Sequence, residues 1–169
     1  MPADQGFLRR VLAACCLVLL ALAGCDQAAR RDLQPGESTR DEVERAMGRP
    51  GAVWPQDDGR VILEYPRGPE GHVTWMVELD EQGRYLGMRN VLTDEYFSRV
   101  KPGMTRDEVR RLLGIHTEQT RFPLKDELVL SWRHLDADRR ARLFDVHFGP
   151  DGKVTRTAVV DDPKAANSR

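Results

Sequence analysis

The stretch Pro102–Gly103–Met104–Thr105–Arg106–Asp107–Glu108–Val109–Arg110–Arg111–Leu112–Leu113–Gly114 decides the fold, because the chain carries it twice. Its centre, Thr105 to Val109, recurs unchanged as Thr39–Arg40–Asp41–Glu42–Val43. Pro35–Gly36 precedes the first copy, with one extra residue before the threonine. Ala46–Met47–Gly48 closes it where the second copy has Leu112–Leu113–Gly114. A block that returns at a fixed interval marks a duplicated supersecondary unit.

The block has a mechanical meaning. Threonine at the N-cap and glutamate three residues on form a capping box, so Thr39 with Glu42 and Thr105 with Glu108 start two helices. Asp41 and Asp107 sit in the first turn, where the helix dipole favours an acid. Val43, Ala46 and Met47, like Val109, Leu112 and Leu113, lie on one helical face. Met104 precedes the second cap and is placed for a hydrophobic staple with Val109, whereas the first copy has Ser38 there. Gly48 and Gly114 stop the helices. Helices this short are not stable alone in water and must dock on something.

What they dock on follows in each copy. Arg60 to Tyr65, ended by Pro66, then Val73 to Leu79, then Tyr85 to Leu92 after the turn Glu81–Gln82–Gly83–Arg84, read as three strands. Leu128 to Trp132, Leu143 to Phe148 and Val154 to Val160 repeat the series, with Pro150–Asp151–Gly152–Lys153 as the matching turn. Ala28 to Leu33 and Thr93 to Val100 are read as a short extra helix opening each unit. The expected fold is α+β: two tandem α-α-β-β-β repeats, short helices packed on antiparallel sheets. The boundaries are residues 33–92 and 93–160, with 161–169 a flexible tail. Each unit is near the lower size limit for independent stability, so one body made of both is expected.

The N-terminus has another character. Arg9 and Arg10 precede an uncharged apolar run from Val11 to Ala23, the order of a secretory signal peptide. That run is too short to span a bilayer as an ordinary helix, which takes about 20 residues. Leu22–Ala23–Gly24–Cys25 resembles the bacterial lipobox at every position. The resemblance implies a leader over residues 1–24, diacylglycerol and then acyl (palmitate-type) modification of Cys25, and a lipidated linker over 25–32. Several acyl chains give stable anchoring where one is marginal. Cys15 and Cys16 would leave with the leader and Cys25 would be lipidated, so no thiol remains for a disulfide.

Val100 to Gly114 resembles the opening motif of the BamE/SmpA/OmlA family of small bacterial lipoproteins, and the likeness extends over both repeats. It implies an α-α-β-β-β unit on the periplasmic face of the outer membrane. It also implies partners among the subunits of the β-barrel assembly machine. Asp26, just after the lipidated cysteine, pulls towards inner-membrane retention by the enteric sorting rule. A tandem pair of such units also resembles the β-lactamase inhibitor protein fold. That implies the alternative of a binding module gripping a periplasmic enzyme through its sheet face.

Composition narrows the rest. With 26 basic and 27 acidic residues among 169, the chain has a net charge of -1, which argues against a nucleic-acid binder driven by phosphate contacts. His72, His116, His134 and His147 are scattered without metal-ligand spacing, and no nucleophile or phosphate-loop motif occurs. The expectation is a non-enzymatic scaffold with no cofactor, no metal and no small-molecule substrate. Arg139, Arg140 and Arg142 are the candidate lipid-headgroup contact, with Asp136 and Asp138 beside them. Trp75 and Trp132 are the candidate partner-facing aromatics. Trp75 and Met76 are adjacent in a strand and point to opposite faces, so one of them needs a cover other than its own helix.

Overall fold

A computed structural model describes residues 32–67 and 71–166. The leader, Cys25, Asp26 and nearly all of the linker lie outside the described residues, as do residues 167–169. Two four-stranded antiparallel sheets carry the fold. The first is β1 (Ala52–Pro55), β2 (Val61–Pro66), β3 (Thr74–Leu79) and β4 (Tyr85–Asn90), in that spatial order. The second is β5 (Glu118–Phe122), β6 (Glu127–Leu135), β7 (Ala141–Phe148) and β8 (Val154–Asp161), also in chain order. Helix α1 (Arg40–Met47) precedes the first sheet. A short α2 (Asp94–Phe97) and then α3 (Arg106–Leu113) precede the second, and α4 (Pro163–Ala166) ends the described chain.

The helix-opening block behaves alike in both copies. Thr39 and Thr105 accept from the backbone of Glu42 and Glu108, whose carboxylates accept in turn from the threonine N–H at 2.7 Å. These hydrogen bonds from the threonine hold both glutamates below the usual carboxylate range. Each cap also bridges to the last hairpin of its unit, Thr39 to Arg84 and Thr105 to Lys153, fixing where the helix starts over its sheet.

Each unit has one strand more than expected. β1 is a four-residue edge ending in proline, and β5 reads Glu-Gln-Thr-Arg-Phe, so neither shows apolar alternation. Both gain order from the ladder with the next strand rather than from their own side chains. Of the two expected opening helices, Thr93–Val100 contains α2. Ala28 to Arg31 lies outside the described residues, and Asp32 and Leu33 are non-helical. The expected loose tail is corrected at its start. β8 runs through Asp161, Asp162 is buried, and Pro163–Ala166 forms a helical turn.

Two cores divide the apolar residues. Val43 and Met47 of α1 pack on Leu63, Tyr65, Val77, Leu79 and Tyr85, one face of the first sheet. Val109 and Leu113 of α3 pack on Leu130, Trp132, Phe144, Val146 and Phe148, the matching face of the second. Met76 and Ile62, from the opposite face of the first sheet, belong to this second core. Helix α3 therefore lies between the two sheets. The first sheet is packed on one face by its own helix and, around Glu64 and Met76, on the other by the helix of the next repeat, while the Arg60–Glu78–Arg89 end of that face stays open. The cover that Met76 needs is supplied from within the chain.

His134 sits deep in this second core. It is 2% exposed, edge-on to Phe97, which stacks on Phe144 at 4.2 Å. Burial lowers its pKa; the Leu135 backbone, Asp94 and Asp136 oppose this, and Arg142 reinforces it. The unfolded chain, with an ordinary histidine near pH 6.5, then takes up a proton before the folded one does. This contribution to stability is complete above about pH 6.5 and is lost as the pH falls from there towards the lowered folded value. Urea midpoints measured between about pH 5 and 7 are expected to decline on acidification, and His134→Phe to flatten the decline. An unchanged slope in that variant would assign the effect elsewhere, His116 being the next group shifted the same way.

Candidate functional site

The most elaborate polar site lies at the seam between the repeats and is centred on Glu64. In β2 the alternation sends Leu63 and Tyr65 towards α1 and Glu64 to the other face, where α3 lies. Glu64 is 0% exposed. Arg110 Nη1 donates to both its carboxylate oxygens, at 2.7 and 2.5 Å. The Ile115 N–H, just past the end of α3, donates to Oε1 at 2.9 Å. Trp54 Nε1, from β1, donates to Oε2 at 3.1 Å.

The second repeat closes round this carboxylate. The Arg110 and Arg111 guanidinium carbons lie 5.4 and 5.8 Å from the Trp54 ring centre, so two cations of α3 lie within cation–π range of one aromatic of the first sheet. Gly114 leaves α3 with φ +77°, and a side chain there would meet Thr74 and Glu64. The Gly114 carbonyl accepts from Trp132 Nε1 at 3.1 Å. One chain of contacts thus runs from Trp54 through Glu64, Arg110 and Gly114 to Trp132. Every oxygen of Glu64 is engaged and none reaches solvent. The arrangement suits a latch that fixes one repeat on the other, not a group that trades protons with a substrate.

Beside the latch is a cavity of about 310 Å³, lined by Pro66, Val73, Thr74, Leu92, Ile115 and His116 among others. Burial, with Arg110 nearby, lowers the His116 pKa and favours the neutral imidazole. A second buried ion cluster lies on the outward face of the second sheet. Arg133 donates to Asp162 at 2.5 Å and to Glu118 at 2.7 Å, and Lys164 pairs with Glu118 at 2.9 Å. Burial alone would raise Asp162, but the bonds from Arg133 and the Lys164 backbone hold it below the usual carboxylate range. This cluster ties the end of the described chain to β5 and β6. Among the described residues no three His, Cys, Asp or Glu side chains converge as a metal-ligand group.

The residues singled out from the sequence fall unevenly on this geometry. The capping residues Thr39, Glu42, Thr105 and Glu108 are where expected and are structural. Trp132 is corrected: at 1% exposure it is core, held by Gly114, and cannot face a partner. Trp75 packs half-buried against the first core and keeps part of its ring exposed. Arg139 and Arg140 lie in the β6–β7 turn and Arg142 in β7, without forming one free cationic patch. Arg140 pairs with Asp138 at 3.4 Å, and Arg142 pairs with Asp161 at 2.9 Å. Sequence reading missed Glu64 and Arg110. The available signal was an acid inside the apolar run Val61–Ile62–Leu63–Glu64–Tyr65.

No family model and no curated protein matches the chain. Solved structures of similar outline include the osmotically inducible lipoprotein OsmE, at 22% identity and TM-score 0.34, covering 46% of this chain and 78% of that one. A DUF4309 family protein of Bacillus subtilis aligns at 15% identity and TM-score 0.30, over 83% of this chain and 95% of its own. A Streptococcus mutans protein named as a β-lactamase inhibitor protein aligns at 12% identity and TM-score 0.34, over 82% of this chain and 97% of its own. Likenesses of this degree carry no weight for function. The α+β arrangement of two repeats stands on the sheets and helices described above, and among the described residues no helix is long and apolar enough to cross a membrane.

Proposed function

We propose that this protein is a lipid-anchored, non-enzymatic scaffold of the bacterial envelope. It is held through Cys25 at the periplasmic face of the outer membrane and serves outer-membrane protein assembly or envelope integrity. The lipobox Leu22–Ala23–Gly24–Cys25, ahead of a doubled BamE-like motif, is the observation that carries this reading. The seam supports it, because its carboxylate is consumed in joining the repeats. The inhibitor-like alternative asks for an aromatic row on an open sheet face. The outer face of the first sheet is covered by α3 around Glu64 and is charged at its open end, with Arg60, Glu78 and Arg89. That of the second mixes Glu118, Arg133, Asp145, His147 and Arg156 with Phe122, Leu135 and Val160, and has one aromatic ring besides His147 rather than a row. Scaffold duty is therefore the reading preferred.

The test is crosslinking of the full lipoprotein in living cells, followed by membrane fractionation and mass spectrometry. The expected result is recovery in the outer membrane with β-barrel assembly subunits attached, and loss of membrane association in Cys25→Ala. Retention in the inner membrane would show that Asp26 governs sorting. A soluble enzyme as sole partner would replace the scaffold by the inhibitor-like module.

A further inference from the structure

Three of the four sheet edges are guarded against further pairing. β1 is four residues long and ends in Pro55. β5 is five residues long, runs into Pro123, and carries Glu118 and Arg121. β4 has Gly87 at its middle and a register shift against β3 at Glu78/Leu79. Short length, proline, irregularity and charge are the means by which proteins blunt an exposed edge. β8 differs in length and in where its irregularity falls: it has eight residues, Val154–Asp161, with no proline, glycine or lysine, and its register shift, at His147/Phe148, lies at its start and leaves Arg156–Asp161 regularly paired. Among the described residues, backbone bonds on the open side reach only its first residue, where Val154 exchanges them with Gly103 and Met104.

The direction of the open groups follows from the ladder. Asp162 N–H donates to the Ala141 carbonyl, so alternation along β7–β8 turns the N–H and C=O of Thr157, Val159 and Asp161 outward. No described residue pairs with them. Val159 and Val160, 47% and 39% exposed, lie on opposite faces beside this edge. Arg156 and Asp161 mark its ends, with side chains 55% and 91% exposed. Arg156 is only loosely held, at 3.4 Å from Glu127, and Asp161 pairs with Arg142.

We propose that the β8 edge is a strand-docking site that takes an extended segment of another polypeptide as a fifth, antiparallel strand of the second sheet. Charge complementarity fixes the segment's chemistry. Read in its own direction, it has a basic residue opposite Asp161, apolar residues opposite Val160 and Val159, and an acid opposite Arg156. A second copy of β8 does not meet this pattern. Two-fold antiparallel pairing opposes residues on the same face, so within β8 Arg156 would face Ala158 or Val160 and never Asp161. The site stands on sheet geometry and holds whether or not the chain serves barrel assembly.

The experiment uses the full chain in detergent and a synthetic peptide with the core Lys-Val-Ile-Thr-Thr-Glu. Binding is expected with slowed amide exchange at Thr157, Val159 and Asp161. Val159→Pro removes an outward donor without touching the ladder and is expected to weaken binding about tenfold or more. The charge-reversed core Glu-Val-Ile-Thr-Thr-Lys is expected to bind about threefold or more weakly, with the gap closing in about 0.5 M salt. The double variant Arg156→Glu/Asp161→Lys, which leaves the backbone alone, is expected to invert that preference. No binding, protection at other amides, an uninverted preference, or self-association through β8 in place of peptide binding would each overturn the proposal.

Discussion

Glu64→Ala is expected to destabilise the fold by about 3–5 kcal/mol, the range for removing one partner of a buried ion pair. The variant leaves the Trp54 indole N–H, the Ile115 N–H and the Arg110 guanidinium facing an empty place at the centre of the seam. Arg110 keeps 25% of its side chain exposed and can partly rehydrate, whereas Glu64 at 0% cannot. The arginine variant Arg110→Ala should nevertheless be severe, because it strands a carboxylate with no solvent. For a domain of this size the Glu64→Ala loss corresponds to a fall of about 10 °C or more in Tm. Glu64→Gln keeps the shape and an acceptor and should cost less. The double variant Glu64→Ala/Arg110→Ala should cost less than the sum of the singles by about 1–3 kcal/mol. Urea unfolding of the parent and the four variants provides the measurement. Additive effects, or a Glu64→Ala loss below about 1 kcal/mol, would show that the seam does not join the repeats.

The latch also shows why the duplication is not a plain copy. The backbone bonds Gly51 N–H to Glu64 O and Thr117 N–H to Ser131 O make Ser131 the counterpart of Glu64. Counting from the capping threonines, Arg110 corresponds to Glu44. Both residues that meet at the seam thus differ in charge from their counterparts in the other copy. The parts that fold each unit on itself, the caps and the apolar helix face, are held in common. Local rules make these legible: a capping box and a helical period depend on residues three and four apart. The seam depends on which face of the first sheet the second helix reaches, and no pattern within either repeat encodes that. The same cause misassigned Trp132. A tryptophan in a strand has one buried face, but only the docked end of α3 shows that Gly114 receives its indole N–H. β1 and β5 escaped for a different reason: edge strands are ordered by their neighbours and need no alternation of their own.

Gly114 and Gly48 turn this asymmetry into a second large expected effect. Both end their helices in the same conformation, φ 77° and ψ -165° against φ 80° and ψ -169°, a region that is essentially glycine-only. Alanine at either should cost about 1–3 kcal/mol in backbone strain alone. The surroundings differ. A Cβ on Gly48 meets nothing within 4 Å, while one on Gly114 comes to 2.7 Å from Thr74 Cγ2 and 3.1 Å from Glu64 Oε1. The second clash cannot relax by swinging a side chain into solvent, because Thr74 and Glu64 are both buried and Glu64 is fixed by four donated hydrogen bonds. Overpacking then adds about 1–3 kcal/mol. Gly114→Ala should therefore exceed Gly48→Ala by at least about 1 kcal/mol, and Thr74→Ser, which removes the nearest methyl, should recover part of the difference. Equal losses in the two glycine variants would mean that α3 is free to shift off the first sheet, and with it the claim that the two repeats form one body would fall.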